Sequence, residues 1–243
     1  MATDGKNPSR ASGVRARAKE AMRAEILAVA RVQLAEGGPA GLSFRSVARE
    51  VGLASSAVYR YFESRDALLT ALIIESYDAL GDAVEAAERR VPRTSFAERY
   101  RAIGRAVREW AVSEPTQWLL IFGSPIPDYE APQDTVPAAT RLPLALAALM
   151  GEALDAAAVR PGGDLPEDVH VALELRTYIG DETPDEVVLR GLIAWTYLLG
   201  AVMSEIVGQR HRVVSPSGAA AVYERELDEI VALVGFEDLV PDG

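Results

Sequence analysis

Residues 43–62 read SFRSVAREVGLASSAVYRYF, and this stretch decides the fold. It divides into two short helical segments around Gly52, and each special position has a physical reason. Ala48 is small where the second helix crosses close to the first. Gly52 sits in the turn, where a positive φ is cheap only without a Cβ. Val58 packs back between the helices, and Val47, Val51 and Leu53 complete a small core. The spacing of Ala48, Gly52 and Val58 predicts a helix-turn-helix, in which the second helix enters the DNA major groove.

Small and apolar positions alone would equally suit an ordinary helical hairpin in a globular core. The polar set decides between them. With Val58 facing inward, Ser55, Ser56, Tyr59 and Arg60 cover the outer faces of the same short helix, and hydroxyls and guanidinium groups read base edges and phosphates. No acidic residue occurs between Ser55 and Phe62. Arg65 follows the cap residue Ser64 at the start of the next helix, where a cation opposes the helix dipole. That placement suits an external anion, since free N–H groups at a helix start bind phosphate. Arg65 by itself would also suit a solvated surface.

Working outward, residues 1–19 are small, polar and basic without apolar period, and read as a flexible arm, which suits a plain untidy terminus as well as an arm that touches DNA phosphates. From Ala21 the period is helical, with Ile26, Leu27, Ala30 and Leu34 on one stripe. Gly37-Gly38-Pro39 ends that helix. Ser43 is placed as N-cap of the next, with Leu42 and Val47 as a hydrophobic staple. A third helix runs from Ser55 to about Phe62. Ser64 caps a long fourth, where Leu69, Leu72, Ile73, Tyr77, Leu80 and Val84 keep a three-four spacing to about Arg90. The remainder is helical in pattern, broken near Pro92, over 124–137, at Pro161-Gly162-Gly163 and at Thr183-Pro184. No run shows the alternation of a strand, so an all-α protein is expected.

The runs Val51-Gly52-Leu53, Ala57-Val58-Tyr59-Arg60-Tyr61-Phe62 and Ser64-Arg65-Asp66-Ala67-Leu68-Leu69 resemble the DNA-binding head of TetR-type transcriptional regulators. The pattern is G-x-x-x-x-x-(L/V)-Y-x-(H/Y)-F followed by (S/N)-(K/R)-(E/D)-x-L. It covers about the first third of the chain. The chain departs at Ala54, where the family often has Ser or Thr, and at Arg65, more commonly Lys. The resemblance implies a three-helix helix-turn-helix head over 20–66 on a larger helical effector-binding and dimerisation domain over 67–243. It implies a homodimer that binds double-stranded operator DNA, most often as a repressor released by a small-molecule effector. Ser43 and Arg45 would contact phosphate and a base, and Ser55 and Ser56 would face the groove. Tyr59 and Tyr61 would meet phosphate or sugar, Arg60 would lie beside them, and Arg65 would hold the backbone. Trp195 and Gly200 are similar to a W-x-x-x-H-G subgroup, with Leu199 replacing the His.

The body is less specific. Trp195, Leu199, Val202 and Ile206 recur at helical spacing, as do Leu227, Ile230 and Val234. Either stripe suits a four-helix dimer interface or an intramolecular core. Tyr77, Trp110, Trp118, Phe122, Tyr178, Trp195, Tyr197 and Met203 are candidates for lining a pocket for an apolar or aromatic effector, or are plain core aromatics. The stretch from Gly123 to Pro127 would suit a pocket mouth. His170 and His211 are isolated.

Composition bounds the rest. The chain has 243 residues and a formal charge of −11, which taken whole argues against nucleic acid. Residues 1–65 nevertheless hold 11 Lys/Arg against 6 Asp/Glu, a net of +5, and the remainder carries −16. The average conceals a basic head on an acidic body. Without cysteine there is no disulfide, thiolate metal site or cysteine nucleophile. Two histidines leave little for a metal site or a triad, and no cofactor is expected. P-loop, G-x-G-x-x-G, G-x-S-x-G and H-E-x-x-H patterns are absent. Glu152 and Asp155 share a helix face at a spacing solvated surfaces produce freely. The competing reading is an all-α small-molecule-binding protein or enzyme with no DNA role. The start lacks an apolar signal core, and the longest apolar stretch, Leu192 to Met203, falls short of the ~18–20 residues that span a bilayer. A soluble cytoplasmic protein with no membrane partner is expected.

Overall fold

The computed structural model describes residues 8–163, 165 and 183–237. Its described residues are helical apart from turns, loops and one isolated bridge between Val159 and Phe236, so the all-α expectation holds. In chain order the helices are α1 (Pro8–Gly41), α2 (Phe44–Glu50), α3 (Ser55–Val58), α4 (Arg65–Glu88), α5 (Phe96–Ser113), α6 (Pro115–Phe122), α7 (Val136–Ala139), α8 (Arg141–Asp155), α9 (Asp185–Ile206) and α10 (Ala219–Val234).

The chain forms two compact units. One contains the chain up to Ser76 together with Thr116–Thr135; the other contains Tyr77–Pro115 and the chain from Val136 onward. The expected boundary at 66/67 therefore lies inside the first unit. Two hydrogen bonds show why the later segment joins it. Thr70 Oγ1 and Tyr129 OH share one at 2.9 Å, and Ser76 Oγ donates to Gln117 Oε1 at 3.2 Å. The boundary between the units falls within the residues of α4, after Ser76.

In the first unit, residues 8–19, expected as a flexible arm, are the start of α1. Residues 1–7 of that arm lie outside the described residues. α1 breaks at Gly38, whose φ of +62° is left-handed backbone, with Pro39 following. The stripe of Ile26, Leu27, Ala30 and Leu34 is at most 2% exposed, each side chain contributing roughly 1.5–3 kcal/mol for the larger ones.

In the second unit α5, α9 and α10 form the core, with α8 against α5. Tyr223, Leu227, Ile230 and Val234 line the buried stripe of α10. At Gly104 the helices approach so closely that an added Cβ would lie 2.4 Å from Leu227 Cδ2. Polar anchors are buried with their partners. Arg99, 2% exposed, donates to Glu88 Oε1 at 2.6 Å, to the Arg93 carbonyl at 3.0 Å and to Glu152 Oε2 at 2.7 Å. Arg93 pairs with the same two carboxylates. Arg190 donates to the carbonyls of Val234 (2.9 Å) and Arg160 (2.8 Å) and pairs with Glu186. These contacts satisfy charges that could not stay buried alone.

α9 extends well beyond the apolar stretch read from the sequence. It is long and apolar enough, by length and composition, to cross a bilayer, with a mean hydropathy of 1.6 over its most apolar window. Its inner face, including Ala194, Leu198, Ala201 and Val202, is packed in the core. Its outer face leaves Leu192, Ile193 and Tyr197 exposed by 56%, 46% and 39%.

Candidate nucleic-acid interface and effector cavity

The head is built as its residue types dictate. Ser43 occupies the N-cap of α2 in extended backbone, although its hydroxyl makes no cap bond. Its backbone N–H instead donates to Gln33 Oε1 at 3.4 Å, while Gln33 Nε2 donates to Glu50 Oε1 at 3.0 Å. Gln33, 7% exposed, thus holds both ends of α2. Nothing in the sequence marked it, because its partners lie 10 and 17 residues away. Gly52 has φ +70°, the turn conformation expected of it. Val47 and Val58 are fully buried and Ala48 is 1% exposed.

α3 is a single α-helical turn that continues as tighter turns through Tyr61, with Tyr61 and Phe62 N–H groups bonded to the Val58 carbonyl. Val58 is its one buried residue. Ser55, Ser56, Tyr59 and Arg60 are exposed beside it, and Ser43 and Arg45 are exposed at the start of α2. Tyr59 lies edge-on to Phe44 with ring centroids 5.0 Å apart, which fixes its direction. Tyr61 and Arg65 are half-buried, and Phe62 is core at 3% exposure under the Arg23 guanidinium. The eight expected contact residues are therefore all solvent-accessible, and Arg45 and Arg60 have no acidic partner among the described residues.

Arg65 differs from the simple expectation. Its Nη2 donates to the Pro39 carbonyl at 2.5 Å, so it also ties the start of α4 to the break after α1. Ser64 Oγ accepts the Ala67 N–H at 3.0 Å, the cap the sequence called for.

In the second unit, α5, α8, α9 and α10 line a partly open cavity of about 270 Å³. Its wall carries Tyr100, Leu146, Met150, Val187 and Trp195, and no Asp, Glu, Lys, Arg or His is among its described lining residues. Burial raises the Tyr100 phenol well above its ordinary value, so it stays neutral. Of the candidate lining residues, Trp195 stands on this wall. Tyr178 lies outside the described residues. Trp118 is fully buried in the first unit, its ring tilted at 45° against Phe122 with centroids 4.4 Å apart. Trp110 is 9% exposed on α5; Tyr77 and Met203 are half-buried, and none of the three is on the wall. Tyr197 is directed to the surface. The Gly123–Pro127 stretch lies in the first unit and is not among this cavity's lining residues. Tyr100, Pro143, Leu146 and Met150, which do line it, carry no local signal, because they come from separate helices.

The expected dimer stripes also resolve. Val202, Leu227, Ile230 and Val234 are all 0% exposed within one chain, because they face neighbouring helices of that chain; a surface already buried cannot be buried again by a partner. Leu199 and Ile206 keep partial exposure.

A helix-turn-helix in one unit and an all-helical second unit with an apolar cavity are the parts of a DNA-binding regulator. Residues 26–72 match the bacterial regulatory proteins of the tetR family, and residues 100–230 match the tetracyclin repressor-like C-terminal domain. The chain is 39% identical over 200 residues to the HTH-type transcriptional regulator Rv1816 of Mycobacterium tuberculosis, covering 81% of this chain and 86% of that one. Its counterpart in Mycobacterium bovis matches equally. Among solved structures, the regulatory protein SCO4313 is 29% identical with a TM-score of 0.70, over 89% of this chain and 98% of that one. The regulator PfmR of Thermus thermophilus shares the fold, at 18% identity and TM-score 0.53, over 85% and 97%. The chain belongs to the TetR family of transcriptional regulators, and its helix-turn-helix is DNA-binding.

Proposed function

We propose that the protein is a homodimeric repressor, acting in the cytoplasm, that leaves a palindromic operator when an uncharged, largely apolar effector enters the cavity. The observation that carries this reading is the cavity itself, apolar and free of charged side chains among its described lining, in the unit that holds the second half of α4. Desolvating a charged ligand there would go uncompensated, whereas an apolar one gains from burial. Tyr100 and Trp195 supply neutral polar groups that orient it.

On DNA, Ser55 and Ser56 face the groove; Ser43, Arg45, Tyr59, Arg60 and Tyr61 meet phosphate, sugar and base edges; and Arg65 holds both the backbone and Pro39. Recognition helices of the dimer sit in successive major grooves, about 34–36 Å apart. The partner copy covers the outer face of α9 around Ile193 and Tyr197, the exposed apolar strip. The test is to select the bound sequence from a random DNA pool and titrate the complex with neutral apolar compounds. The reading expects a two-fold symmetric site and release by compounds that bind the protein. An asymmetric site bound by monomer, or ligand binding that leaves DNA affinity unchanged, overturns it.

A further inference from the structure

We propose that Arg141 transmits occupancy of the cavity to α4, an inference that rests on the effector reading above. Arg141 is the first residue of α8. Its Nη1 donates to the Asp78 carbonyl at 2.9 Å and to Asp78 Oδ1 at 3.2 Å; Nη2 donates to Asp82 Oδ1 at 2.6 Å; Nε donates to Glu85 Oε1 at 2.9 Å. Residues 78, 82 and 85 fall on one face of α4 at four-three spacing. Gly81 opens the space: a Cβ there would stand 2.6 Å from Arg141 Nε. One guanidinium thus lies flat on α4 and holds three carboxylates that would otherwise repel one another.

The same helix builds a wall of the cavity. Pro143, Leu146, Ala147 and Met150 of α8 line it, and at 1.5 Å per residue Arg141 stands only about 14 Å from Met150 along one rigid rod. A ligand that displaces this wall displaces Arg141 with it. The buried cation near the end of α4 is differently made. Arg99 is 2% exposed and its partner Glu88 13%, so that pair is a fixed anchor at the far end of the helix. Asp78, Asp82 and Glu85 are 51%, 76% and 37% exposed, so water can take over each as Arg141 leaves it. Three acceptors along one face let the guanidinium step along α4 without ever being unpaired.

The experiment uses the full-length protein and its selected operator, with Ala147→Trp as a permanent occupant of the cavity. Loss of binding of the neutral fluorophore N-phenyl-1-naphthylamine confirms that the cavity is filled. Ala147→Trp is expected to weaken operator binding about tenfold with Arg141 present and less than about twofold with Arg141→Met, in the usual range for coupling between sites. The pair Asp82→Asn and Glu85→Gln reproduces the uncoupling from the α4 side, and carries the test if Arg141→Met does not fold. Equal weakening with and without Arg141 overturns its role and leaves the effector reading standing. A filled cavity that weakens operator binding in neither background overturns both.

Discussion

Tyr223 on α10 donates its hydroxyl to the backbone carbonyl of Gly104 on α5 at 2.7 Å. The bond spans 119 residues of sequence where the two helices approach closely. Burial raises the Tyr223 phenol far above its ordinary value, so it remains a donor at any working pH. Tyr223→Phe should cost about 1 kcal/mol, the net worth of one such bond. Gly104→Ala should cost about 1–3 kcal/mol, because its methyl group forces Leu227 off its rotamer. Urea unfolding of the two variants should show that order; an unchanged midpoint for Gly104→Ala would remove the close-approach argument.

Acid should release the Arg99 network. Hydrogen bonding by the Arg99 guanidinium holds the Glu152 carboxyl below its ordinary value, which is about 4.3. A carboxyl depressed in the folded state stabilises above the ordinary value, and that stability is lost as pH falls through the depressed one. Glu152→Gln should therefore lower Tm at pH 7, with the gap to the parent protein narrowing below about pH 4. A gap independent of pH would show that Glu152 contributes through packing alone.

Arg60 and Arg65 should separate on salt titration. Arg60 is exposed and has no acidic partner among the described residues, so Arg60→Ala should lower the salt slope of operator binding by ~1 without moving Tm. Arg65 also holds the Pro39 carbonyl, so Arg65→Ala should lower both the slope and Tm. Calorimetry beside DNA titration distinguishes them, and an unchanged slope for both would displace these residues from the phosphate contact.

The dimer should break from the outside of α9. Ile193→Glu places a charge on a residue 46% exposed in the single chain, so the monomer should fold while the dimer dissociates. Light scattering should read half the parent mass, and operator affinity should fall about a hundredfold or more as the second head is lost. By contrast, Ile230→Glu should unfold the chain, since Ile230 is 0% exposed. A folded dimer with Ile193→Glu would place the partner on another face.

The head was legible because its constraints are local. Gly38, Gly52 and Ser64 each act within a few residues of themselves, and the structure uses all three as their chemistry requires. Periodicity also gave the stripe of Leu227, Ile230 and Val234 correctly as apolar and continuous. It could not say what covers that stripe, since the same spacing serves a partner helix or the chain's own α5. Trp118 failed as a pocket residue for the same reason: an aromatic's size is visible in sequence, whereas its neighbours are not. Gln33 and Arg141 escaped notice altogether, because a polar side chain is informative only with its partners, and those of Arg141 lie 56 to 63 residues away.

The helical start of α1 changes what the basic terminus costs on DNA. Arg15, Arg17 and Lys19 are exposed along a formed helix, not along loose chain. An arm that ordered only on the duplex would lose about 1–2 kcal/mol of conformational entropy for each residue fixed. Here that ordering precedes the encounter, and the cations advance at a set 1.5 Å per residue. Were they to meet phosphate, as one reading of this terminus expects, that attraction would not be offset by ordering, and interrupting this helix would weaken operator binding without touching a single base contact.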